Sequence, residues 1–183
     1  MQKEKISLTA TVSLFAWAYH NTEHAVTVFE DKVASTLLSK EEYRAIEAHM
    51  AKGISFFDLH FQGTAEQATR FVAREYLCPT PLSRAAFSEN ALECASSLGA
   101  KQYILLGAGY DTFAYRQPLF AKEMQIFEID RPAVLTDKIG RLARAEITPP
   151  EITAQYFSLY NRANPEHQMT AFPNVHFCLA VRK

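Results

Sequence analysis

The feature that most narrows the fold is a short apolar run ending in a pair of glycines. Tyr103-Ile104-Leu105-Leu106 is continuously apolar, as expected of a strand buried on both faces of a parallel sheet. Gly107-Ala108-Gly109 follows at once. Gly107 permits a sharp turn, and Gly109 lets a ligand come close to bare backbone amides that a Cβ would shield. By itself such a turn is also an ordinary way out of a strand.

The next strand sharpens the reading. Residues 125–129 are expected to form it, and Asp130 ends it, roughly 20 residues past the loop, where a carboxylate takes the hydroxyl pair of a ribose in nucleoside-binding α/β folds. Asp130 also precedes Arg131-Pro132, where a helix to about residue 144 is expected, and Asp is favoured as a helix cap on its own account. Both roles stay open. Asp111 is likewise either a residue that orients the loop or meets an ammonium group, or the cap of a short helix over residues 112–116. Strand, loop, helix, strand, helix is half of a doubly wound α/β unit.

Upstream of Gly99 the pattern is helical. Leu8, Val12, Phe15, Ala16 and Tyr19 form one apolar stripe, predicting a helix with one buried face. Ser39-Lys40-Glu41-Glu42 and Thr64-Ala65-Glu66-Gln67 are capping boxes, each starting a helix. The first should run to Met50 and stop at Gly53, with Tyr43, Ile46 and Met50 on one side. The second should bury Ala68, Phe71, Val72 and Tyr76. Pro79 and Pro81 end it and open another helix that closes at Leu98-Gly99.

Composition excludes several classes. With 19 basic and 20 acidic side chains in 183 residues, there is no global charge to attract nucleic acid or an anionic membrane. Cys78, Cys94 and Cys178 are too widely spaced for a structural zinc site. Reduced thiols and a cytoplasmic setting are expected, with no metal. The apolar run near the N-terminus is interrupted too early for a signal peptide or a membrane span. Glu41, Glu42, Glu123 and Glu128 read as solvated faces or caps, and His20 and His24 as solvated or capping histidines.

Leu105-Leu106-Gly107-Ala108-Gly109-Tyr110-Asp111-Thr112 with Ala114-Tyr115-Arg116, and Phe127-Glu128-Ile129-Asp130 with Pro132-Ala133, resemble the leucine carboxyl methyltransferase-like family of S-adenosylmethionine-dependent enzymes. Thr80-Pro81-Leu82-Ser83-Arg84, and Ser13-Leu14-Phe15-Ala16 with Ala18-Tyr19-His20, look like the same family's N-terminal segment. The resemblance spans roughly residues 7–145. It implies a Rossmann-like class I methyltransferase fold, here a helical N-terminal segment (residues 1–98) before a partial parallel sheet (residues 99–183). It also implies S-adenosyl-L-methionine as methyl donor to an oxygen of a small-molecule or protein-carboxylate acceptor. By the same analogy Arg84 pairs with the cofactor's methionine carboxylate, Gly107 and Gly109 line its backbone, and Asp130 holds its ribose. No catalytic base is implied, since a sulfonium donor is already activated. Tyr115 and Arg116 face either the substrate or the core.

The end of the chain departs from the family pattern. Residues 152–160 read as a helix, and residues 175–179 as a third strand, with Leu179-Ala180-Val181-Arg182 standing where the family's adenine-binding acid would be. A truncated or divergent end is expected, leaving the first strand as an open edge that a second copy or a partner would cover. Other readings are a non-catalytic remnant acting through assembly, and a nicotinamide-dependent oxidoreductase, whose loop usually carries a third glycine where Thr112 stands.

Overall fold

A computed structural model of the chain describes residues 8–23, 29–150, 154–158 and 179–181, the last two stretches as backbone. The chain divides into two compact units, Leu8–Phe87 and a second beginning at Ser88.

The first unit is helical. Helix α1 (Leu8–Glu23) buries every residue from Leu14 to His20, so that stretch is submerged on all sides rather than along one stripe. Leu8, expected on the stripe, is 74% exposed, and His20 is buried, not solvated. The expectation for His24 lies outside the described residues. A short helix α2 (Lys32–Leu37), not anticipated, begins where the Asp31 carboxylate accepts the Ala34 amide. Asn21 of α1 donates to the Asp31 carbonyl at 2.8 Å, fixing the turn between the two.

Both capping boxes form as read. Ser39 and Glu42 start α3 (Lys40–Lys52), which Gly53 closes, and α4 (Ile54–Phe57) adds one turn. Thr64 and Gln67 start α5 (Ala65–Val72). Tyr43, Ile46 and Met50 are half-buried together on α3, whereas Tyr76 is 52% exposed instead of buried. A π-helical turn over Ala73–Leu77 closes with the Cys78 amide on the Ala73 carbonyl. Helix α6 (Pro79–Ser97) starts next, with Pro79 in the first turn, where its missing N–H leaves no hydrogen bond unmade.

The second unit is built on a parallel sheet. Strands β1 (Gln102–Leu106) and β2 (Gln125–Asp130) pair so that Ile104 faces Phe127 and Leu106 faces Ile129. Between them lie α7 (Phe113–Arg116) and a 3-10 turn at Leu119–Ala121. After β2 comes α8 (Pro132–Arg144). In β1, Tyr103 and Leu105 are fully buried and their neighbours half-buried, so one face is better covered than the other. β2 is buried continuously from Ile126 to Ile129.

The last third corrects the sequence reading. Ala154–Ser158 is not helical: it forms β3, parallel to β2, with Asp130 opposite Ser158. The outer edge of β2 carries backbone donors and acceptors that need partners, and a segment with adjacent aromatic residues, Tyr156 and Phe157, suits a strand. The third strand in chain order is therefore Ala154–Ser158, and Leu179–Val181 does not stand at its tip, so the expected place of an adenine-binding acid lies outside the described residues. Most of the expected strand at residues 175–179 lies outside the described residues. Leu179–Val181 forms β4 and pairs with Ile104–Leu106 on the other side of β1. The sheet order is β3-β2-β1-β4. β1 is thus an interior strand, and the open edge expected there is absent.

Candidate functional site

The loop leaves β1 through two glycines in the left-handed region, Gly107 at φ 67° and Gly109 at φ 54°, where an L side chain is strained. The amides of Gly107 and Ala108 donate to the Ile129 carbonyl at 2.8 and 3.2 Å, tying the turn to the end of β2. One residue later the Gly109 amide donates to Oδ2 of Asp130 at 2.7 Å. The glycine loop and the predicted ribose acid therefore meet at neighbouring strand tips.

Asp130 is not the side-chain cap of α8. That position belongs to Arg131, which makes no capping bond, and the second carboxylate oxygen of Asp130 accepts the Arg131 amide at 2.6 Å. Each oxygen thus takes one backbone N–H and keeps a further lone pair. The side chain is only half-buried, so those lone pairs can meet incoming hydroxyls.

Asp111 is 3% exposed and accepts the Phe113 amide at 2.8 Å, closing a local turn just ahead of α7, whose N-cap is Thr112 and carries no side-chain capping bond. Arg116 is committed to the protein: its guanidinium grips Glu89 through both terminal nitrogens and donates from Nε to the Thr112 hydroxyl at 3.0 Å. Tyr115 is buried and donates its hydroxyl to Glu128 at 3.0 Å. Arg84 lies exposed on α6 in the helical unit, whereas the other four predicted site residues share the α/β unit.

Glu128 overturns the solvated reading outright. It is 0% exposed, as is Lys138, and the two form an ion pair at 2.7 Å. Burial pushes the Glu128 carboxyl above the usual carboxylate range, against the pull of Lys138. Glu123 does stay at the surface, paired with Lys101 at 2.6 Å. Farther along the loop, Tyr110 donates its hydroxyl to Asp137 at 2.5 Å, and Arg141 donates to the same oxygen at 2.6 Å. Burial first, and then the bond to Asp137, push the Tyr110 hydroxyl up to about 12.

These partners escaped the sequence reading, although one signal was present. A glutamate inside an otherwise apolar strand needs a buried partner, because an unpaired charge there is prohibitive.

A family model described as leucine carboxyl methyltransferase matches residues 10–171. The chain belongs to the leucine carboxyl methyltransferase family. Among curated members, it is 40% identical over 154 residues to the Bacillus subtilis protein named "Putative S-adenosyl-L-methionine-dependent methyltransferase YktD", a match covering 82% of this chain and 51% of that one. A Mycolicibacterium gilvum protein with the same general name is 39% identical over 74 residues, 40% of this chain and 28% of its own. A Mycobacterium bovis protein of that name is 25% identical over 143 residues, 78% of this chain and 39% of its own. The matches cover about half or less of the length of these family members. Among the described residues, no helix is long and apolar enough to cross a membrane.

Proposed function

We propose that the α/β unit binds S-adenosylmethionine for methyl transfer to an oxygen, that of a carboxylate or hydroxyl on a small molecule or protein. The observation that carries this reading is the 2.7 Å bond between the Gly109 amide and Asp130, which brings bare backbone and a carboxylate to one point. The names of the family members support the same donor.

The residues present fit the group. Asp130 takes the two ribose hydroxyls on its spare lone pairs. Gly107 and Gly109 leave room for the donor beside the backbone, and Asp111 keeps their turn in shape through its bond to the Phe113 amide. The family resemblance alone assigns Arg84 to the methionine carboxylate, for which a guanidinium offers a planar fork. When bound, S-adenosylmethionine supplies a methyl group on an electrophilic sulfonium. The protein's task is then to hold donor and acceptor in line and keep water out.

Helix α7 favours this donor over a dinucleotide. It has only four residues, too few to aim a developed helix dipole at a pyrophosphate, and S-adenosylmethionine carries no phosphate.

Calorimetric titration with S-adenosylhomocysteine, run beside one with NAD, tests the reading. A dissociation constant of about 100 μM or tighter for the first alone is expected; one of about 1 mM or weaker overturns it. Transfer of a labelled methyl group to carboxylate and hydroxyl acceptors then tests the chemistry.

A further inference from the structure

Besides the Ile129 carbonyl, two side chains of β2 hold the segment from Gly107 to Arg116. Residues two apart on a strand share a face, and on that face of β2 Asp130 takes the Gly109 amide while Glu128 takes the Tyr115 hydroxyl. Lys138 completes the second grip, because its ammonium pairs with Glu128 and lies 5.0 Å from the centre of the Tyr115 ring. The ring is therefore fixed by its hydroxyl and by one face. From Tyr115 the constraint runs back through α7 to Asp111, which accepts the Phe113 amide, and to Ala108, whose carbonyl accepts the Asp111 amide at 2.9 Å.

A fully buried ion pair is a poor way to gain stability, since desolvating both charges offsets their attraction. Two apolar side chains of similar size would serve a core at least as well. What the pair offers instead is direction: a carboxylate locked by Lys138 presents its other oxygen to Tyr115 in one orientation only.

We propose that Glu128, Lys138 and Tyr115 are positioning residues of the donor site, setting the shape of the loop from Gly107 to Asp111 from beneath. The inference rests on the reading of that loop as the methyl-donor site. A small displacement of such a loop costs far more in ligand geometry than in packing.

The test replaces the ion pair by apolar residues, Glu128→Leu with Lys138→Met, in the full chain. Thermal melting, S-adenosylhomocysteine titration and amide hydrogen exchange at Gly109 and Phe113 are the readouts. The expected result is a folded protein whose loss of Tm does not exceed that of orphaning the Tyr115 hydroxyl, a dissociation constant weakened by roughly tenfold or more, and faster exchange at both amides. A folded double variant that binds as tightly as wild type overturns the proposal. If the double variant does not fold, Tyr115→Phe decides, because it removes only the hydroxyl: weakened binding supports the proposal and unchanged binding sinks it. Wild-type protein that fails to bind S-adenosylhomocysteine removes the donor reading and this inference with it. Wild-type binding with indifferent variants removes this inference alone.

Discussion

The amide of Gly109 and the carboxylate of Asp130 are joined at 2.7 Å across the tips of two adjacent strands. In Asp130→Ala that amide and the Arg131 amide both lose their partner, which costs about 1–2 kcal/mol of stability. On the proposed reading Asp130 is also the ribose acceptor, so S-adenosylhomocysteine affinity is expected to fall by roughly tenfold or more, as for loss of hydrogen bonds to a charged group. Calorimetry and thermal melting on the same sample separate the two effects. A collapsed Tm with unchanged affinity per folded molecule would assign Asp130 to structure alone.

Gly109→Val should be a more severe lesion for the loop. Its φ of 54° is a region that costs an L residue about 1–2 kcal/mol, and a branched side chain more. On the proposed reading the isopropyl group would also occupy the donor's space. Folded protein with abolished S-adenosylhomocysteine binding is expected; wild-type affinity in that variant would take the loop out of the site.

Glu89 and Arg116 should report on packing. Their side chains are 16% and 14% exposed, so the pair is largely shielded, and Glu89→Ala leaves a poorly solvated guanidinium behind. A loss of about 1–3 kcal/mol is expected, within the range for truncating one partner of a hydrogen-bonded charge pair. Denaturant unfolding measures it, and a loss near zero would mean that solvent satisfies Arg116 unaided.

Asp137 gives a pH dependence of definite sign. Burial works against its charge, but the Tyr110 hydroxyl and Arg141 outweigh it and hold the carboxyl below its ordinary value of 3.8. A depressed folded-state value means the stabilisation is complete above the unfolded value and fades as the pH falls through the folded one. The Tm gap between wild type and Asp137→Asn should therefore be constant from neutrality down to about pH 5 and narrow below about pH 4. A gap that widens on acidification would contradict the assignment.

Elements set by local chemistry could be read from the chain. The two capping boxes at Ser39 and Thr64 are complete within four residues, and both helices begin where those boxes place them. The strand–glycine–acid arrangement was equally plain, because its parts sit at the ends of apolar runs. What depended on distant partners was not. Lys138 lies ten residues beyond Glu128, on a different element, and no periodic pattern links a strand residue to a helix residue. Strand β3 went unread because an edge strand answers to the unmet backbone groups of its neighbour rather than to a strong pattern of its own. In α1 the misreading came from the template: six apolar residues in a row, Leu14 to Tyr19, exceed what one stripe can accommodate.

Helix α7 is a single turn, and one turn does not persist in water by its own hydrogen bonds. Its form is lent by the sheet beneath and by the side chains that grip it, so it exists only when the whole unit is assembled. A nucleoside that recognises this turn recognises the native state alone, and by mass action it must then raise the melting point of the unit in proportion to the logarithm of its concentration. A ligand-induced thermal shift in a variant thus shows that its turn and the sheet beneath are still assembled.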